Sequence, residues 1–127
     1  MSSATPRRSE CAIAGSLDIF GDRWSLLIVR DLLFGEPLRY GDLAASSEGI
    51  PTNTLADRLR KLEEAGIISR ERYSDRPPRH TYRLTPRGRA LAPVLDALAS
   101  WGTTHLPGTR RLNAPEKPTP QGRTAGG

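Results

Sequence analysis

The feature that most limits what this chain can fold into is the segment Thr52 to Ala65, together with what flanks it. Leu55, Leu59 and Leu62 recur at i, i+4 and i+7, the spacing of one helix face. At 3.6 residues per turn the opposite face carries Asn53, Asp57, Arg60, Lys61 and Glu64, with Thr54 and Arg58 at its flanks. Gly66 supplies the expected C-terminal stop. A short helical stretch, Leu38 to Ala45, lies just upstream across the polar connector Ser46-Ser47-Glu48-Gly49-Ile50-Pro51. Downstream, Ile67 to Tyr73 alternates, with Arg70 and Arg72 on one side, and Thr81 to Leu84 alternates with Tyr82 and Leu84 pointing inward. Between them Ser74-Asp75-Arg76-Pro77-Pro78-Arg79 is turn chemistry. The order predicts a helix, a turn, a second helix, and then a two-stranded hairpin with a basic tip.

The remaining segments frame that unit. A short helical pattern runs from Cys11 through Ile13, Leu17 and Phe20, and Gly21-Asp22 interrupts it. Trp24 to Phe34 reads as a second helix with Asp22 as its N-cap, Gly35 as its stop, and Pro37 barring any continuation. The third helix starts near Arg39 or Tyr40 and ends before Ser46. Thr85-Pro86 opens the last helix, whose apolar stripe is Leu91, Val94, Leu95, Leu98 and Trp101. Pro93 lies inside that stripe, where an interior proline costs about 3 kcal/mol, so a bend or compensating packing is expected. The fold class is mainly α with a small β-hairpin: a winged helix-turn-helix. Residues 10–105 form the domain, 1–9 a mobile arm, and 106–127 a disordered tail rich in Pro and Gly.

The formal net charge is +5, but its distribution says more than its sum. Residues 9–57 carry 3 basic and 8 acidic side chains, whereas 58–89 carry 10 basic and 4 acidic. A stripe of one sign raises the local potential and favours a polyanionic partner. The single cysteine, Cys11, excludes an internal disulfide and fits a reducing cytoplasm. No apolar run approaches the length of a membrane span, and Met1 to Glu10 leads into no signal-peptide-like apolar stretch.

These residues resemble the HxlR-type winged helix-turn-helix transcriptional regulators of bacteria, from about Cys11 to Gly102. The resemblance rests on an ordered set: Cys11 ahead of Gly21-Asp22-Arg23-Trp24, then Leu38-Arg39-Tyr40-Gly41-Asp42-Leu43, then the run Leu55 to Ile67. Its most specific part is Pro77-Pro78-Arg79-His80-Thr81-Tyr82-Arg83-Leu84-Thr85 with Gly88, followed by Trp101-Gly102. The resemblance implies a homodimer that binds operator DNA, with the N- and C-terminal helices as dimerisation helices. Two positions depart from the family pattern. Ala12 stands where a proline often follows the cysteine, and Pro51 where a serine often precedes the recognition helix. Capping and phosphate contact then fall to Thr52 or Thr54.

On this reading double-stranded DNA and a second copy of the chain are the partners. Asn53 and Arg58 are the candidate base readers, because Asn pairs with adenine and Arg with guanine in the major groove; Asp57 is a candidate cytosine acceptor. Lys61 and Arg60 lie further along and suit phosphate. Arg76 and Arg79 at the hairpin tip suit phosphate or the minor groove, and Arg39 completes the DNA-contacting set. Ile13, Leu17, Leu91, Leu95, Leu98 and Trp101 are the expected dimer interface. Cys11 is a candidate redox sensor, although a lone cysteine is more often a small buried hydrophobe. Trp24 and Trp101 are expected as core and interface anchors rather than as the lining of an effector pocket.

Two rival readings remain. The mixed charge on the outer face of Thr52–Ala65 also fits a winged-helix protein-interaction module that reads no DNA. An enzyme is disfavoured, since the sequence shows no paired nucleophile and base, no phosphate-cradling glycine loop and too few ligands for a metal. No cofactor is expected. A small-molecule or redox effector is the one further partner the resemblance allows.

Overall fold

The computed structural model describes residues 9–111, so the arm at 1–8 and the chain from 112 onward lie outside the described residues. The elements run α1 (Ala12–Phe20), α2 (Ser25–Phe34), β1 (Leu38–Arg39), α3 (Tyr40–Ala44), α4 (Thr52–Glu64), β2 (Ile68–Asp75), β3 (Pro78–Leu84), α5 (Pro86–Arg89) and α6 (Ala92–His105). The fold is a winged helix-turn-helix, mostly helical with one small antiparallel sheet.

The sheet has three strands in the order β1-β3-β2, one more than the predicted hairpin. β1 is only two residues long and pairs Leu38 with Tyr82 and Arg39 with Thr81. The wing pairs Ile68 with Leu84 and Arg70 with Tyr82, and continues to Asp75 opposite Pro78. The expected six-residue turn is therefore replaced by a tight connection at Arg76-Pro77. Pairing shifts register between Arg72 and Ser74, which leaves Tyr73 without a partner across the ladder.

Helix boundaries follow local chemistry. The Asp22 carboxylate accepts the backbone N–H groups of Trp24 and Ser25, each at 2.9 Å, and so caps the start of α2. At the end of α4, Ile67 N–H donates to Leu62 C=O (2.9 Å) and Gly66 N–H to Glu63 C=O (3.0 Å). With Gly66 at φ +78°, this is a Schellman closure, and it turns the chain directly into the wing. The single long C-terminal helix expected from sequence is instead two. α5 ends at Arg89, and Pro93 falls in the first turn of α6, where its missing N–H and fixed φ cost little.

The core gathers Ile28, Val29 and Leu32 from α2, Leu43 from α3, and Leu55, Leu59 and Leu62 from α4. Ile68, Tyr82 and Leu84 close it from the sheet. Leu91 belongs to this core at 9% exposure and so corrects its expected place in a dimer interface. α1 and α6 bury no residue within the chain. Leu106–Arg111 lie at the start of the expected disordered tail, yet they fold back on α6. Thr109 Oγ1 donates to the Gly102 and Leu106 carbonyls, and Arg111 donates to Asp96 and Ser100. Among the described residues no helix is long and apolar enough to cross a membrane.

Candidate nucleic-acid interface

The turn that presents α4 is fixed from behind by α2. Arg30 donates from Nη1 to Glu48 Oε2 (2.9 Å) and from Nη2 to Glu48 Oε1 (2.8 Å), while Nε and Nη2 reach Asp31 at 3.0 and 2.8 Å. A two-pronged guanidinium–carboxylate pair fixes direction as well as distance. The hydrogen bond from Arg30 is the largest influence on the Glu48 carboxyl and holds it at about 2; the Arg30 guanidinium is raised in turn, by Glu48 foremost. The Tyr40 hydroxyl donates to the Thr52 carbonyl (2.8 Å) and ties α3 to the first residue of α4. Neither contact belongs to the predicted site. The available signal was the Arg30-Asp31 pair inside the otherwise apolar helix Ser25–Phe34.

α4 opens at Pro51 with no side-chain cap. Thr52 and Asn53 are exposed, and Asn53 Oδ1 accepts the Thr54 N–H at 2.9 Å. Ala56, Arg60, Lys61 and Glu64 extend the exposed side of the helix. Arg60 is paired with Asp57 and Glu64, and Lys61 Nζ lies 3.7 Å from Asp57.

Arg58, expected to read bases, is placed otherwise. Its side chain is 17% exposed and spans Asp22 Oδ1 (3.2 Å) and Asp57 Oδ2 (2.7 Å). The hydrogen bond that Arg58 donates to Asp57 raises the guanidinium pKa, and the same bond, with Lys61 and Arg60, holds the Asp57 carboxyl low. Burial pushes the Asp22 carboxyl up, but the Ser25 hydroxyl, the two capping amides and Arg58 outweigh it and hold it below its ordinary value. Arg58 and Asp57 therefore strut α4 against the start of α2. Asp22, Trp24, Asn53, Thr54, Asp57 and Arg58 together line an open cleft of about 450 Å³ at that junction.

The wing carries the opposite arrangement. Arg70 is paired with Glu63 and Arg72 with Asp75, but Arg76 and Arg79 at the tip have no carboxylate partner among the described residues. Arg39 is likewise free of acids; its guanidinium sits 4.7 Å from the centroid of the Tyr73 ring. Of the five cations in the expected DNA-contacting set, three are thus uncompensated (Arg39, Arg76, Arg79). Lys61 is loosely paired and Arg58 is held internally.

The apolar set on the terminal helices stands apart from this face. Ile13 is 71% exposed, Leu17 52%, Leu98 51% and Trp101 58%, whereas Leu95 packs partly against the core. Cys11 is a free, exposed thiol at the N-cap of α1. Among the described residues no cluster of His, Cys, Asp or Glu could hold a metal.

A helix-turn-helix whose second helix presents an exposed face beside a basic β-wing defines a winged helix-turn-helix protein. The chain belongs to the HxlR-like helix-turn-helix family, whose profile matches residues 19–110. It is 45% identical over 96 residues to the HTH-type transcriptional regulator Rv3095 of Mycobacterium tuberculosis, a match that covers 76% of this chain. The chain spans 60% of that relative's length. Among solved structures it is similar to a MarR-family transcriptional regulator of Porphyromonas gingivalis (TM-score 0.71, 34% identity, 81% of this chain and 100% of that one). It is also similar to the redox regulator HypR in its oxidized form (TM-score 0.64, 29% identity, 80% of this chain and 100% of that one).

Proposed function

We propose that this protein is a dimeric, sequence-specific DNA-binding transcriptional regulator that acts as a repressor. In this reading α4 enters the major groove with Thr52, Asn53 and Thr54 leading, Lys61 reaches a phosphate further along, and the wing tip grips the backbone or the minor groove. The observation that carries the reading is the freedom of Arg39, Arg76 and Arg79 from acidic partners. Among the described residues seven other arginines, including Arg58, have a carboxylate partner; Arg23, Arg83, Arg87 and Arg110 also lack one, but Arg76 and Arg79 stand together at the exposed hairpin tip, where uncompensated charge suits a polyanion.

Dimerisation rests on the exposed apolar side chains of α1 and α6, two helices that have no fully buried residue within the chain and pack on its core only in part, through Ile19, Phe20 and Leu95. A two-fold dimer sets its recognition helices about 34 Å apart, one turn of duplex, on a pseudo-palindromic site. An effector input at Cys11 is a second element of the proposal. It is supported by the exposure of that thiol and by the likeness to a protein named as a redox regulator.

Selection of bound duplexes from a random library, at stated salt and with and without oxidant, tests these elements together. Enrichment of a pseudo-palindrome, relaxed by Asn53→Ala, is expected. Absence of duplex affinity together with salt-insensitive capture of a protein would favour the interaction-module reading instead.

A further inference from the structure

Arg39 sits at an unusual junction. It is the second residue of β1, its backbone N–H donates to the Asp42 carboxylate (2.9 Å) at the start of α3, and it pairs across the sheet with Thr81 of β3. Its backbone is therefore held by both the helix-turn-helix and the wing. Its side chain is exposed, and its described contact is the Tyr73 ring of β2. Tyr73 occupies the irregular position between Arg72 and Ser74, where the ladder slips. Glu71 and Thr81 are partners, as are Thr81 and Arg39, so these residues share the outer side of the sheet. Tyr73, two residues beyond Glu71, presents its ring to Arg39 on that same side. Tyr73 is 42% exposed and belongs neither to the core nor to the side chains packed against it, so core packing does not account for its position.

We infer that Tyr73 is a positioning residue for DNA backbone contact: its ring face holds the Arg39 guanidinium extended beside the wing, so that Arg39, Arg76 and Arg79 meet the phosphates of one duplex as a set. A guanidinium stacked on a ring keeps its N–H edge free to donate in the plane, and a phosphate needs that edge. In an arginine paired with a carboxylate that edge is already occupied. Tyr73 thus orients the cation without neutralising it, and it pre-orders a side chain whose rotamers would otherwise be restricted only on binding. The inference rests on the DNA-binding reading above.

The test measures the affinity of the full chain for a mixed-sequence duplex across a salt series, for wild type, Arg39→Ala, Tyr73→Ala, Tyr73→Phe, the Arg39→Ala/Tyr73→Ala double variant, and Arg76→Ala as a wing reference. Thermal midpoints are followed in parallel. Tyr73→Phe keeps the ring face and should bind like wild type. Tyr73→Ala should bind roughly two- to fivefold more weakly, the range of an exposed cation–π contact. It should also lose part of the salt slope that Arg39→Ala loses, and the double variant should be no weaker than Arg39→Ala alone. Full affinity in Tyr73→Ala, equal damage in Tyr73→Phe, or additive effects in the double variant would each overturn the inference. If Arg76→Ala flattens the slope and Arg39→Ala does not, the inference falls while the DNA-binding reading stands. If neither does, the DNA-binding reading itself falls.

Discussion

The Asp22 carboxylate, which caps α2, lies 3.2 Å from the Arg58 guanidinium of α4, thirty-six positions along the chain. One acid therefore fixes both the start of a scaffold helix and the orientation of the recognition helix. Arg58→Ala should cost about 1–3 kcal/mol in urea unfolding, since it strips a partly buried carboxylate of its charged partner. Asp22→Asn should be non-additive with it in a double-mutant cycle. An Arg58 variant of undiminished stability with an altered selected sequence would return that residue to base reading.

Acid should loosen the turn between α3 and α4. Glu48 has a folded pKa of about 2 against an ordinary 4.5, and the Asp22 pKa is also lowered. Depressed carboxyls contribute stability that is complete above the unfolded values and is lost as pH falls through the folded ones. Unfolding midpoints should therefore hold steady above about pH 5 and decline between about pH 4.5 and 2. Glu48→Gln should reduce that decline, and an identical pH profile in the variant would remove the Arg30–Glu48 clamp from the account.

Gly88 lies against the Ile67 carbonyl oxygen, and a side chain there would collide with backbone rather than with a flexible group. The same carbonyl accepts the Thr85 N–H at 3.0 Å, so it has little room to move. Gly88→Ala should cost about 1–3 kcal/mol. Calorimetry showing an unchanged melting temperature would contradict the close approach of α5 to the wing.

Leu98→Asp should shift the protein to monomers in sedimentation equilibrium and reduce operator affinity, because a charge on the exposed stripe of α6 opposes burial against a second copy. A dimer of unaltered strength would place the interface elsewhere.

What the sequence made legible follows from how local each signal is. The Leu55/Leu59/Leu62 face, the Asp22 cap and the Gly66 stop are set within a few residues, and each recurs in the structure. β1 was not legible, because two residues form no period and their pairing with β3 is non-local. The wing tip is narrower than its composition suggests, since turn-forming residues such as Asp75 and Pro78 also pair at an edge. Leu91 shares a stripe with Leu98, and periodicity alone does not separate a core face from an exposed one. Arg58 escapes sequence reasoning for a related reason: helical spacing locates it on a flank, but its partner Asp22 lies on a distant element.

The central claim is that the uncompensated wing arginines bind duplex phosphates. It is tested most directly by the salt dependence of DNA affinity for wild type and the Arg76→Ala/Arg79→Ala variant. Removing two arginine–phosphate interactions should reduce the magnitude of the slope of log K against log salt by about 1.8, so the variant should bind more weakly at low salt and converge on wild type at high salt. Superimposable salt plots for the two proteins would contradict the account.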